Sequence, residues 1–182
     1  MSGNPKTTIV RNMSHQTDVQ YPACTCFQID DTLVLEARRR DNLKLKMRDP
    51  TRDVAVIYFS SHSIYFPNDA ATFMREILEM DRYEWTNPFN DFPGAGMNIY
   101  VRDLFKQWYI DGISTQICSV EQMASLLLDQ IGNRRLITVG SSAGGYAAAL
   151  FGILLNAQVV YCFSGQFDLE RDALYPGGIK TH

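Results

Sequence analysis

The residues with the type and spacing to do chemistry gather at LITVGSSAGGYAAA, positions 136–149 of the 182-residue chain. Gly140-Ser141-Ser142-Ala143-Gly144 fits G-x-S-x-G with Ser142 at its centre, an apolar run before it and an alanine-rich run after it. That pattern suits a sharp strand-to-helix turn whose middle residue holds a strained backbone. Its neighbours two residues away on either side must then be nearly free of side chain. A hydroxyl at that turn points out above the sheet edge. The start of the following helix offers free N–H groups and a positive dipole end to a developing oxyanion, so the chemistry is nucleophilic attack by Ser142. Two rival readings use the same residues. A phosphate-binding loop would need a Lys-Ser/Thr pair or a third glycine in G-x-G-x-x-G, and the residue two after Gly140 is Ser142. A purely structural turn would use the small residues only to pack the helix closely.

The elements that must position Ser142 are legible as patterns. Residues 1–20 are polar and aperiodic and are expected to be poorly ordered, with one folded domain over 21–182. CTCFQI and TLVLEA, separated by Asp30-Asp31, read as a β-hairpin, and LKLKMR alternates as a half-exposed strand does. VAVIYFS (54–60) is a β-branched and aromatic run of the kind buried on both faces of a parallel sheet. Asp69 to Met80 reads as a helix behind an Asn68/Asp69 cap, Ile99 to Val101 as a short strand, and Asp103 to Tyr109 as a short helix. Ser119 caps a helix over MASLLLDQI that ends at Gly132-Asn133. LITVG and QVVYCFSG read as buried strands flanking a helix from Ala143 to Leu155. Successive strand–helix–strand units predict an α/β fold with a mostly parallel sheet, right-handed crossovers and helices on both faces.

This order of elements, with LITVGSSAGGYAAALFG at its centre, resembles the α/β-hydrolase superfamily from Tyr21 onward. The GSSAGGYAA and VRDLFKQWY segments are also similar to hydrolase-like proteins of bacterial capsule and surface-polysaccharide gene clusters. The resemblance implies that Ser142 is the nucleophile, that the Ala143 N–H is one oxyanion donor, and that a second comes from Ser60, Ser61 or His62. Of these, Ser61 is the expected donor. The same fold carries its acid after the seventh strand and its histidine after the eighth, whereas this chain ends about where a sixth strand would, so roughly 50–80 further residues would complete it. Either the sequence is a fragment lacking the C-terminal strands, or the catalytic set is rebuilt from what is present. For a rebuilt set, His62 and Asp168 come from the two loops that flank Ser142 in that fold, with His62 as base and Asp168 orienting a base or ligand. The loops lie on opposite sides of Ser142, so a linear relay is awkward. His62 is also readable as a substrate contact or as an ordinary polar residue. His182, the last residue, is expected to play no part. Arg102-Asp103 and Trp108-Tyr109 either line a site entrance, where aromatic rings suit sugars, or form an ion pair and core-capping rings.

Composition narrows the partners. A net charge of −3 gives no basic field for nucleic acid, and Arg38-Arg39-Arg40 is followed at once by Asp41. No apolar run has the length of a membrane span and no signal peptide is recognisable, so a cytoplasmic protein is expected. Cys24, Cys26, Cys118 and Cys162 are expected to be buried free thiols, and no metal or cofactor is expected. The expected substrate is a small molecule or glycan carrying an acyl group, and the expected activity is that of an esterase or deacylase. A non-catalytic binding or assembly module is the alternative. The uncharged strand at 158–165, if it ends the sheet, is expected to mediate self-association.

Overall fold

A computed structural model describes residues 32–167 of the chain. The disorder expected for 1–20, the CTCFQI strand, Asp168 and His182 lie outside those residues. Five strands form one mixed sheet: β1 (Leu43–Met47), β2 (Val54–Phe59), β3 (Met97–Val101), β4 (Arg135–Ser141) and β5 (Val159–Phe163). The order is β1-β3-β2-β4-β5, with β1 antiparallel to β3 and every other pairing parallel. The α/β class, the antiparallel start and the mostly parallel remainder follow the sequence pattern.

TLVLEA is not a strand. Thr32–Arg38 is a helix, α1, burying Val34 and Ala37 three residues apart on one face. Asp69 caps α2 (Ala70–Phe73), its carboxylate accepting the Thr72 N–H at 2.7 Å, and the helix widens to π-type hydrogen bonding over Met74–Glu79. Ser119 caps α3 (Val120–Ile131) by accepting the Gln122 N–H, and Gly132 ends it at φ 59°. The strand–helix–strand unit around Ser142 is completed by α4 (Ala143–Leu154).

Alternation along β2 divides the core. Ala55, Ile57 and Phe59 pack with Met123, Leu127 and Ile131 of α3 and with Ala147, Ala148 and Phe151 of α4. Val56 and Tyr58 face the other way, with Tyr100, Ile137 and Val139, and are covered by Tyr83, Ala95, Trp85 and Phe92 from the connection between α2 and β3. Among the described residues both long helices therefore lie on one face and an irregular segment covers the other, where the sequence predicts helices on both faces. A further cluster of Val34, Ile64, Tyr65, Phe73, Ile77, Leu104 and Phe105 joins α1 and α2 to the segments leaving β2 and β3.

Two more expectations are corrected. Residues 103–109 are not helical, because the buried Asp103 carboxylate takes the N–H groups of Phe105, Gln107 and Tyr109 that a helix would need. Lys106, Trp108 and Tyr109 take positive φ to allow it. QVVYCFSG is a strand but not a buried one: Val159, Tyr161 and Phe163 are exposed on the edge of the sheet, and no strand lies beyond β5 among the described residues.

Candidate functional site

Ser142 sits where β4 turns into α4, at φ 53° and ψ −123°, a region an L-residue occupies only under constraint. The constraint is close packing on both sides. A Cβ on Gly140 would lie 2.0 Å from the Gly144 carbonyl oxygen, and one on Gly144 would lie 2.3 Å from the Phe59 oxygen. A Cβ on Gly145 would meet the Phe163 oxygen at 3.0 Å. The first turn of α4 is thus wedged between the ends of β2 and β5, with Gly144 toward one and Gly145 toward the other. The Ser142 N–H is bonded to the Phe163 oxygen at 2.9 Å. The Ser142 side chain forms no cap on the helix, which leaves its hydroxyl available outside the turn.

On the β5 side, Ser142 Oγ donates to Gln166 Oε1 at 3.4 Å, a stretched hydrogen bond. The same Oε1 accepts Trp108 Nε1–H at 3.1 Å. Trp108 in turn meets the His62 ring edge-on, with centroids 4.6 Å apart. His62 begins a short 3₁₀ turn, His62–Ile64, capped by Ser61. Burial, reinforced by the nearby Lys106 ammonium, pushes the imidazole down to about 3, so it is neutral at ordinary pH. Its Nε2 is buried with no hydrogen-bond partner, as is the hydroxyl of Ser60 on the same loop. The structure therefore brings His62 and Ser142 into one cluster, joined through Trp108 and Gln166 rather than by a hydrogen bond between them. Asp168 lies outside the described residues.

The β2 side is held by a residue that sequence reasoning missed. Glu84 accepts the Ser61 N–H at 2.6 Å and the Ser61 hydroxyl at 2.8 Å, with the Ser63 hydroxyl at 3.3 Å. The Ser61 N–H, expected to serve an oxyanion, is thereby committed to a carboxylate, and the Ser60 N–H donates to the Val101 oxygen. Ala143 opens α4, where a helix N–H has no partner within the helix. Glu84 is placed by its neighbours: Trp85 Nε1 donates to the Phe59 oxygen at 3.2 Å, and buried Arg102 donates to the Arg82 oxygen at 2.8 Å. Arg102 also bonds Asn42 Oδ1, lies 2.9 Å from Asp81 Oδ1 and stacks over Tyr83. Arg102 and Asp103 are therefore not paired with each other. Burial pushes the Asp103 carboxyl up to about 6 against the lowering effect of its three backbone donors.

The remaining chemistry-bearing groups lie elsewhere. A cavity of about 480 Å³ is lined by Lys44, Lys46, Arg82, Tyr83 and Tyr100, at the β1 edge, with β3 and β2 between it and β4. Cys118 is exposed and Cys162 half-buried, which corrects the expectation of buried thiols for these two. Among the described residues no group of three or more His, Cys, Asp or Glu is placed to hold a metal ion, and no helix is long and apolar enough to cross a membrane. No protein-family model matches the sequence, and neither does a curated protein or a solved structure.

Proposed function

We propose that the chain is a serine hydrolase of the esterase or deacylase type, with α/β-hydrolase topology, acting through an acyl-Ser142 intermediate. The observation that carries this reading is the left-handed backbone of Ser142 between Gly140 and Gly144, each in contact with backbone that a side chain would displace. A plain strand-to-helix turn has no need to hold a serine in that conformation. The sheet order supports it too, since β4 lies between β2 and β5 and the loops leaving both open beside Ser142.

In the reaction, Ser142 Oγ attacks the acyl carbonyl carbon and its proton passes to a base. Negative charge collects on the carbonyl oxygen, where the Ala143 N–H and the start of α4 stabilise it. On collapse the base returns that proton to the departing alcohol, or to the amine of an amide. Water, giving a proton to the same base, then attacks the acyl-Ser142 carbonyl and releases the acid as the proton returns to Oγ. The resemblance of the GSSAGGYAA and VRDLFKQWY segments to capsule-cluster proteins favours an acyl group carried on a glycan.

The alternative, a hydrolase-fold module that binds without catalysis, is favoured by one observation: the acceptor at Ser142 Oγ is a carboxamide, which cannot take a proton at neutral pH. A fluorophosphonate probe separates the two. Labelling that is lost in Ser142→Ala, with unchanged melting, supports the hydrolase, whereas a folded wild type that does not label supports the module.

A further inference from the structure

Gln166 has one oxygen facing two partners, and the identity of one partner settles how the amide is oriented. The indole N–H of Trp108 can only donate, so the atom of Gln166 that meets it at 3.1 Å is Oε1 and not the NH₂. The Ser142 hydroxyl reaches the same Oε1, so it must donate there as well. Trp108 is itself held hard. Its backbone is left-handed at φ 52°, within a segment whose N–H groups converge on Asp103, and its ring is almost wholly buried against His62.

We propose that Gln166 is the positioning residue of Ser142, with Trp108 as the group that fixes it. The indole locks the amide, the amide oxygen fixes the direction of the serine proton, and the lone pairs of Oγ are thereby turned away from Gln166. The Ser142–Gln166 bond is the long one of the pair, so the proton can be passed to a stronger acceptor while the amide keeps its place. This rests on Ser142 being the reacting group as far as rate is concerned, but the contact itself is testable without any reaction.

Of the charged groups near this cluster, Asp103, which holds the Trp108 segment through the Gln107 and Tyr109 N–H groups and is raised to about 6, titrates in wild type and variant alike, so wild type read over the same pH range is the control. His62 is neutral above about pH 3, Lys106 is engaged by the Tyr65 carbonyl and Asn68, and Glu84 is bonded to Ser61 and Ser63. Gln166→Glu keeps the shape and the acceptor but adds a proton-accepting carboxylate. Fluorophosphonate labelling of Ser142 should then become pH-dependent, rising about tenfold or more above wild type once the new carboxyl ionises. Adding Trp108→Phe removes the indole donor to that carboxylate and should move the midpoint of the rise to higher pH. Without reaction, the Trp108 indole ¹H–¹⁵N resonance should shift in Gln166→Ala and, by relaxation of the amide, in Ser142→Ala, with Trp85 as the internal control. An indole resonance unmoved in both variants overturns the proposal, as does a Gln166→Glu protein that labels at the wild-type rate with a flat pH profile. A moved resonance with no labelling in any variant upholds the contact and removes the nucleophile reading instead.

Discussion

On the β2 side of Ser142, Ser60, Ser61, Ile64 and Tyr65 are all buried, Glu84 gathers three donors from Ser61 and Ser63, and Tyr109 Oη donates to the Ser60 oxygen at 2.7 Å. On the β5 side, Phe163 is 51% and Phe167 62% exposed, and a long hydrogen bond to Gln166 is what reaches the serine hydroxyl. One wall of the elbow is a finished piece of core and the other is open. A site that must hold a strained residue and still admit a substrate needs both. The closed wall resists the strain at Ser142, and the open wall is where the proposed acyl substrate would approach.

The largest loss is expected at the closed wall. Gly144→Ala places a methyl 2.3 Å from the Phe59 carbonyl oxygen, which belongs to a central strand and cannot withdraw. The expected cost is more than about 3 kcal/mol, read as a lower denaturation midpoint or lost soluble expression. A variant that melts like wild type would mean α4 does not start against β2. Glu84→Ala is expected to cost less, about 1–2 kcal/mol, because the carboxylate is only half-buried and water can replace it at the Ser63 hydroxyl. It also frees the Ser61 N–H. If that donor serves an oxyanion, labelling of Ser142 should rise in Glu84→Ala even as stability falls, whereas a loss of labelling in proportion to stability would confine Glu84 to holding the loop.

His62, on the closed wall, makes stability depend on pH. Its folded value, pushed down to about 3, lies below its ordinary 6.5, so the native state favours the neutral ring. That stability is complete above about 6.5 and is lost as pH falls toward 3, where the unfolded chain binds a proton that the native state refuses. Asp103 works the other way: with its folded value raised to about 6 from 3.8, its contribution is complete in acid and is lost as pH rises through that range. The two slopes oppose each other between about pH 4 and 6. Replacing His62 by Gln should remove the acid-side loss, on the order of 2 kcal/mol once the partly open ring is allowed for. Urea midpoints from pH 4 to 7 would show it, and identical slopes in the two proteins would count against a buried neutral imidazole.

What the sequence revealed of this site follows from how local each signal is. The elbow was legible because strand, glycines, serine and helix are consecutive, and the Asp69 and Ser119 caps because a cap acts three residues ahead. Glu84 was not, since its bonds to Ser61 span 23 residues, and neither was Gln166, whose partners are 24 and 58 residues away. The segment at 103–109 misleads in a different way. Its residues tolerate a helix, and only the burial of one carboxylate with three backbone donors decides against it. For TLVLEA the apolar residues fit either period, and packing of Val34 and Ala37 beside Ile64 and Phe73 selects the helix.

The smallest effects belong to the open wall. Phe167 lies beyond β5 and touches Tyr146 at a ring distance of 6.1 Å, so Phe167→Ser should change stability by no more than about 0.5 kcal/mol. Hydrogen exchange would show the same asymmetry without mutation. β2 is paired to β3 on one side and to β4 on the other, so all its amides should exchange only on global unfolding. Among the described residues β5 is paired on one side alone, and in a parallel edge strand alternate N–H groups point away from the sheet. Those amides of Val159–Phe163 should exchange orders of magnitude faster than their neighbours, giving an alternating pattern that β2 lacks. If that fast set becomes protected as protein concentration rises, a second chain is pairing with the edge. If it is protected at every concentration, the edge is covered within the chain, and the open wall beside Ser142 is narrower than β5 alone presents it.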